Sequence, residues 1–240
     1  MRMPSPDPQP QDPPAAGGRG RTLARWFRGI REVLLRGAEP ASIAYRRMAR
    51  LIDREFGTQG EAGACLAFAS PDSDDAGAGA LLMLAYCLRT ELEARVLLID
   101  ARLKDKEGGL SGRLGLAGSP GFAEVIAGGI EGREQLIAGT AVSGVDILPA
   151  GDPDGRATPM DHDNLRRLVA AARSRYRYVL LQVSSPLRDT RAVLTALEAR
   201  AVFLIVEENR TFVSALDECR KVLVDNGAPD VRVVVAGAGP

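Results

Sequence analysis

The chain has 240 residues, of which 45% are hydrophobic and 26% are charged, and its formal net charge is zero. This length and composition are those of a globular protein with one well-buried domain and a tail. The balanced charge gives no reason to expect a nucleic acid as a partner.

Two segments at the start of the chain differ in composition. Residues 1–20 are rich in proline and glycine and contain no apolar stretch, so we predict a disordered tail without a secretory signal peptide. In residues 21–36, Trp26, Phe27 and Ile30 follow helical spacing between arginines, which predicts a basic amphipathic helix. Such a helix lies on a membrane surface, docks on a partner or packs against its own domain.

A second helix is predicted over residues 41–56, because its apolar residues also recur at helical spacing. The residues that we predict to face inward are Ile43, Met48, Leu51, Ile52 and Phe56. The pattern divides the chain into a disordered tail (1–20), a helical N-terminal segment (21–60) and an α/β domain (61–240).

Short apolar runs alternate with helical segments in the third of these parts. The predicted strands cover 65–69, 95–100, 145–149, 178–183, 201–206 and 231–235, and the predicted helices 76–88, 165–175 and 212–224. This alternation predicts a parallel sheet with helices on both faces, which binds ligands at the carboxyl ends of its strands. Since no segment has the roughly 20 apolar residues that cross a bilayer, we expect a cytoplasmic protein.

The cysteines and the single histidine do not form a recognisable reactive site. Cys65, Cys87 and Cys219 fit neither a zinc-site spacing nor a disulfide framework, so we predict buried free thiols. A Ser-His-Asp or Cys-His mechanism would depend on His162 alone. Its surroundings indicate the start of a helix, and we assign it no catalytic role.

The loop after the first predicted strand has the position of a phosphate-binding P-loop but lacks its chemistry. A working P-loop requires a lysine for the phosphates and a Ser or Thr hydroxyl for magnesium. Aligning the glycines places Ala80 at the lysine position, whereas counting back from the second strand places Gly77 or Ala78 there. The hydroxyl position follows directly in each alignment, and both the lysine and the hydroxyl are missing in either alignment. The residues at the candidate phosphate positions are Gly77, Ala78, Gly79 and Ala80.

Three aspartates, Asp72, Asp74 and Asp75, stand in the same loop. Two like charges about 4 Å apart repel by about 4 kcal/mol at an effective dielectric constant of 20, so this loop disfavours a triphosphate. Asp74 and Asp75 are also placed to cap the following helix.

Four further segments follow in a characteristic order. Residues 97–104 form an apolar run that ends in Asp100-Ala101-Arg102, and residues 115–128 contain Gly-Leu, then Pro-Gly-Phe and an apolar helix pattern. Residues 144–151 end in Leu-Pro-Ala-Gly, and residues 176–187 contain an apolar strand that ends at Gln182. Together, these segments resemble the bacterial tyrosine kinases (BY-kinases) of polysaccharide export over roughly residues 40–235.

The resemblance implies a P-loop NTPase-like fold of the MinD/ParA/BY-kinase type with a degenerate ATP site. Asp100 matches the first aspartate of the family's Asp-x-Asp-x-Arg motif, Arg102 stands at the second, and Gln182 replaces the Walker B aspartate. The implied degenerate site comprises Gly77, Ala78, Gly79, Ala80, Asp100, Arg102 and Gln182. A guanidinium and an amide cannot replace the anionic oxygen ligands of magnesium, so we expect no Mg-ATP cofactor, no metal site and no catalytic residue.

Two more family features are altered. The tyrosines, Tyr45, Tyr86, Tyr176 and Tyr178, form no C-terminal cluster of the kind that active BY-kinases phosphorylate. Of the Glu-x-x-Arg-x-x-Arg pattern at the family's ring interface, Arg46 is kept, but Ile43 and Ala49 replace the glutamate and the second arginine. The resemblance therefore leaves homo-oligomer formation open.

The function that the resemblance implies is that of a non-catalytic BY-kinase homologue, or pseudokinase. It would act in capsule, exopolysaccharide or holdfast-type polysaccharide biosynthesis and export, at the inner membrane, through a Wzz-like polysaccharide co-polymerase. Residues 21–36 are our candidate for contact with that protein or with the bilayer. The alternatives are an active protein tyrosine kinase with an atypical ATP site, and a MinD/ParA-like positioning ATPase.

A charge exchange at the site suggests one structural hypothesis. Arg102 follows the second strand, where it would face the loop with Asp72, Asp74 and Asp75. We predict that Arg102 pairs with at least one of these aspartates; the alternative is that it points into solvent.

Overall fold

A computed structural model of the chain describes residues 40–57, 62–72, 77–103, 109–128, 134–151 and 160–236. The helices are α1 (Pro40–Phe56), α2 (Ala78–Leu92), α3 (Gly109–Arg113), α4 (Phe122–Gly128), α5 (His162–Arg175), α6 (Thr190–Ala196) and α7 (Val213–Asp225). The strands are β1 (Ala64–Ala69), β2 (Val96–Asp100), β3 (Ala138–Gly139), β4 (Val145–Leu148), β5 (Tyr178–Gln182), β6 (Ala201–Glu207) and β7 (Val231–Ala236), and Glu134–Leu136 is a 3-10 turn. The tail and the basic segment predicted over 21–36 lie outside the described residues.

The strands of the described chain form one sheet in the order β3–β4–β2–β5–β1–β6–β7. Every neighbouring pair is parallel except β3 and β4, which run antiparallel. Strands β1, β2 and β5 are buried at every residue, as central strands covered on both faces must be. The predicted doubly covered, mainly parallel sheet is therefore confirmed, and the carboxyl ends of these three strands lie side by side.

The side chains of the sheet divide into two hydrophobic cores, one on each face. Helices α1, α2 and α3 pack on one face, where Leu66, Leu98 and Leu180 point. Helices α4, α5, α6 and α7 pack on the other, which carries Leu97 and Leu181. This division follows from the alternation of side chains along each strand.

Helix α1 packs beside α2 and covers the amino ends of β5, β6 and β7. Ile52 and Phe56 are buried, and the Phe56 ring meets the Phe203 ring edge to face at 6.2 Å. The inward orientation predicted for Ile43 and Leu51 is wrong, since their exposed fractions are 41% and 47%. Both residues lie beside the buried stripe of the helix and not within it, so these two apolar side chains are exposed.

The elements predicted within the described residues are present, and their bounds differ by a few residues. Helix α2, predicted to end at Leu88, continues to Leu92, and the short elements α3, α6 and β3 were not predicted. Among the described residues, no helix combines the length and the apolar character needed to span a membrane.

Candidate functional site

The carboxyl ends of β2 and β5 bring two of the predicted site residues together. Asp100 ends β2 and is the register partner of Gln182, which ends β5. Gln182 is also the register partner of Phe68 in β1. Because Leu98 and Leu180 face α2, side chains two residues further along face the same way. Asp100 and Gln182 therefore lie on the face that carries the start of α2.

The carboxylate of Asp100 is fully engaged by neighbouring donors. Its Oδ1 accepts hydrogen bonds from Arg102 Nε at 3.0 Å and from the Arg102 backbone N–H at 3.4 Å. Its Oδ2 accepts from the Ser111 hydroxyl at 2.7 Å, the Ser111 N–H at 2.9 Å and Arg102 Nη2 at 3.4 Å. The side chains of Asp100 and Arg102 both have an exposed fraction of 0%, so this is a buried ion pair.

Gln182 makes a different set of contacts at the adjacent strand end. Its Oε1 accepts a hydrogen bond from the Leu110 N–H at 2.9 Å, while its Nε2 is buried and has no hydrogen-bond partner. The residue is 2% exposed. An amide N–H can donate to an acceptor but cannot ligate a cation.

Helix α3 supplies the donors to both strand ends, and the sequence did not predict it. A helix of five residues is too short to show a helical period. Its first residue, Gly109, has a positive φ of 62°, and a Cβ there would lie 1.9 Å from Arg102 Nη2. The sequence offered one signal for a tightly packed polar turn, which is a glycine with a small hydroxyl residue two positions later, as in Gly109-Leu110-Ser111.

The start of α2 shows where a P-loop would lie. Gly77, with φ at 95°, precedes the helix, which begins at Ala78. In P-loops the last glycine directly precedes the lysine and the Ser/Thr at the start of the helix, so this boundary favours the alignment with Ala78 at the lysine position and Gly79 at the hydroxyl position. Ala80 then lies within the first turn of the helix. No side chain caps α2 at Gly77.

The predicted ion pair between Arg102 and Asp72 does not form. Arg102 binds Asp100, and Asp72 Oδ2 is buried without a hydrogen-bond partner. Asp72 lies close enough to Cys219, on the opposite face of the sheet, to raise the pKa of that thiol, although burial is the larger cause. Residues two apart on β2 and its extension share a face, which brings Arg102 to Asp100. Asp74 and Asp75 lie outside the described residues.

The described residues at this edge do not fit a magnesium ion. Magnesium prefers carboxylate oxygens and water in an octahedral shell. Both oxygens of Asp100 already accept hydrogen bonds from Arg102 and Ser111, and the guanidinium adds a positive charge beside them. Elsewhere in the described part of the chain, no cluster of three or more His, Cys, Asp or Glu side chains could hold a metal ion.

The three cysteines and His162 lie in surroundings that indicate a structural role. Cys65, Cys87 and Cys219 are buried and free, and burial raises the pKa of these thiols to about 12, 11 and 12. This confirms the predicted buried free thiols. His162 is the first residue of α5, directly after the capping residue Asp161, and it is exposed.

The helix that would carry the family's ring-interface pattern binds its own domain. Arg46 and Arg50 lie 3.4 Å and 3.2 Å from the carboxylate of Glu91 on α2. Ala49, at the position of the second arginine, is fully buried, and Ile43 is exposed. A charged side chain at position 49 would therefore enter the core.

No protein-family model and no curated protein matches the sequence, but solved structures match the fold. The BceF tyrosine kinase domain has a TM-score of 0.68 at 19% identity, over 93% of this chain and 85% of the other. The kinase domain of the Escherichia coli tyrosine kinase ETK has a TM-score of 0.67 at 17% identity, over 84% of this chain and 77% of the other. The fold is that of the BY-kinase domains.

Other P-loop proteins share the BY-kinase fold less completely. The cell division ATPase MinD from Pyrococcus furiosus has a TM-score of 0.55 at 19% identity, over 72% of this chain and 71% of the other. The likeness to the two kinase domains and to MinD confirms the predicted MinD/ParA/BY-kinase type of fold. The kinase domains match a larger share of this chain than MinD does. These likenesses concern the fold.

Proposed function

We propose that this chain is a non-catalytic BY-kinase homologue that acts as a binding partner in bacterial polysaccharide export. The observation that carries the proposal is the buried pair of Asp100 and Arg102. A kinase of this fold would use the carboxylate of Asp100 to bind magnesium. In this chain the guanidinium of Arg102 forms an ion pair with that carboxylate instead. The missing P-loop lysine and the amide of Gln182 act in the same direction.

The proposed pathway is capsule, exopolysaccharide or holdfast-type polysaccharide export. It is supported by the Leu-Pro-Ala-Gly segment at residues 148–151 and by the likeness to tyrosine kinase domains. The proposed partner is an inner-membrane, Wzz-like polysaccharide co-polymerase, and the protein would be peripheral at that membrane. Residues 21–36 are the proposed contact segment, since their apolar stripe is flanked by arginines.

The two alternative functions are less well supported. An active tyrosine kinase would have to separate Asp100 from Arg102 and would still lack the P-loop lysine and the Walker B carboxylate. A MinD/ParA-like ATPase also requires a P-loop lysine. Transfer of radiolabelled phosphate from ATP to a tyrosine of the purified protein would establish the first alternative and overturn the pseudokinase proposal.

A binding experiment tests the proposed partner. The full chain should co-purify with the co-polymerase of the same organism, and deletion of residues 21–36 should abolish co-purification without lowering the unfolding temperature. A matched variant with Trp26, Phe27 and Ile30 changed to Ser keeps every arginine and separates apolar docking from charge. If the variant without residues 21–36 recovers as much co-polymerase as the full chain does, this segment is not the contact.

A further inference from the structure

The buried cation at the edge of the sheet is also the centre of a hydrogen-bonded chain. Arg102 is among the largest fully buried side chains and is 1% exposed. A buried ion pair adds little net stability over apolar residues of similar size, although removing one partner alone is costly. Burial of this pair is therefore better explained by the geometry that it fixes than by the energy that it adds.

The chain of contacts runs from Arg102 through Asp100 to Ser111. The Ser111 hydroxyl donates to Asp100 Oδ2 at 2.7 Å and accepts from the Ala150 N–H at 2.9 Å. Ala150 belongs to the loop after β4. Three separate segments, β2 with its extension, α3 and the loop after β4, are thus joined by two buried side chains around one cation.

The loop after β4 in turn fixes the start of α4. The Phe122 N–H donates to the Pro149 carbonyl at 2.7 Å, and the Ala123 N–H donates to the Ala150 carbonyl at 2.9 Å. A Cβ at Gly121 would lie 2.0 Å from the Pro149 carbonyl oxygen, so the two backbones touch directly. The hydrogen bonds that begin at Asp100 therefore connect, through Ser111 and the loop after β4, to the start of α4.

We propose that the Arg102 guanidinium is a built-in ligand that holds α3 and the loop after β4 on the sheet, so that this edge keeps one conformation without nucleotide or metal. A free cation would lose translational freedom on binding Asp100, whereas Arg102 is tethered two residues away. The inference goes beyond the proposed function, because a partner that contacts this edge would meet the same surface at every nucleotide concentration.

Native-state hydrogen exchange of the full chain in EDTA, without nucleotide, tests the proposal. The amides of Leu110, Ser111 and Ala150 should be protected in the wild type. Arg102→Met should lower their protection about 100-fold or more, beyond any change at the Val202 amide on β6, since it strands the Asp100 charge. Exchange of these amides in the wild type at the rate of an unprotected amide would overturn the proposal, even if the variant does not fold.

Arg191 offers a matched control. It pairs with Asp189 at the same spacing, through Nε to Oδ1 at 3.0 Å and Nη2 to Oδ2 at 2.9 Å, but on the opposite face of the sheet. Relative to the Val202 amide, Arg191→Met should leave the protection of the amides of α3 and Ala150 within about threefold of the wild type, a change too small to reflect a lost buried partner. An equal loss in both variants would contradict a local role of Arg102.

Chemical rescue gives a second readout. Millimolar methylguanidinium should raise the thermal midpoint of Arg102→Ala, whose cavity can take the ion, but not that of the wild type or of Arg191→Ala. A shift of the same size in all three proteins, or none in Arg102→Ala, would count against the built-in ligand. Calorimetry with ATP tests the proposed function separately, so failure of either can be recognised.

Discussion

Three aspartate–arginine pairs at the same sequence spacing differ in their burial. The exposed fractions of the aspartate and arginine side chains are 0% and 0% for Asp100–Arg102, 6% and 21% for Asp189–Arg191, and 36% and 38% for Asp230–Arg232. Each joins a carboxylate to a guanidinium at a different degree of burial, and Arg232 in addition pairs with Glu55 and lies over the Phe56 ring. Exposed pairs contribute about 0–1 kcal/mol, whereas loss of one partner from a buried pair costs about 3–5 kcal/mol.

We therefore predict a graded loss of stability on changing each arginine to methionine. Arg102→Met should lower the free energy of unfolding by about 3–5 kcal/mol, Arg232→Met by about 1 kcal/mol or less, and Arg191→Met by an intermediate amount. Urea denaturation measures all three. The same loss in the three variants would show that burial does not set the energy of these pairs.

The buried thiols give the protein a predicted alkaline limit. Burial raises the pKa of Cys65 from 9.0 to about 12. Above pH 9.0 the unfolded chain loses the thiol proton while the folded chain keeps it, so stability is complete below that pH and falls as the pH rises toward the folded pKa. We expect urea midpoints to decrease from pH 8 to pH 10, and Cys65→Ala to lessen the decrease. A midpoint independent of pH in the wild type would contradict this.

Part of the site could be predicted at the residue scale. Asp100 and Gln182 end apolar strands, and the rule that parallel strands place polar residues at one edge brings them together. Of the three loop aspartates predicted as partners of Arg102, Asp72 does not pair with it, and Asp74 and Asp75 lie outside the described residues. Sequence spacing gave no sign that Arg102 would turn back to Asp100, because that choice depends on Gly109 and Ser111, which reach the site from a separate helix.

At the scale of the element, α3 depends on a glycine beside the buried guanidinium. Gly109 and Gly118 both have positive φ, at 62° and 72°, but a Cβ at Gly118 would meet nothing within 4 Å. Alanine at either position suffers similar backbone strain, of order 1 kcal/mol. Only Gly109→Ala also forces the Arg102 side chain aside.

We predict that Gly109→Ala is more destabilising than Gly118→Ala by about 1–3 kcal/mol, the usual cost of overpacking. Thermal or urea unfolding of the two variants measures the difference. If Gly118→Ala is equally destabilising, α3 does not pack tightly on Arg102.

The longer elements could be predicted from the sequence, whereas the short elements α3, α6 and β3 could not. The apolar runs of β2, β5 and β6 predict buried strands because each is covered on both faces. Helices α3 and α6 have five and seven residues, fewer than two full turns, so their periodicity cannot be recognised. Tertiary contacts stabilise them instead, as the bonds from α3 to Asp100 and Gln182 illustrate.

At the scale of the whole molecule, the described chain has the BY-kinase fold. The sheet order, the two cores and the α1–α2 packing need no nucleotide, since the cores consist of apolar side chains from the sheet and its helices. The predicted changes to the nucleotide site fall on polar positions at the carboxyl ends of β1, β2 and β5. Under the proposed function, the fold persists as a binding protein because stability and catalysis depend on different residues.

Calorimetric titration of the full chain with ATP and with ADP, with and without magnesium, tests the proposed loss of the nucleotide site most directly. We predict no binding at micromolar nucleotide, because the P-loop lysine, its hydroxyl and the Walker B carboxylate are absent and Asp100 is held by Arg102. A magnesium-dependent dissociation constant in the micromolar range, about −8 kcal/mol, would contradict the proposed function.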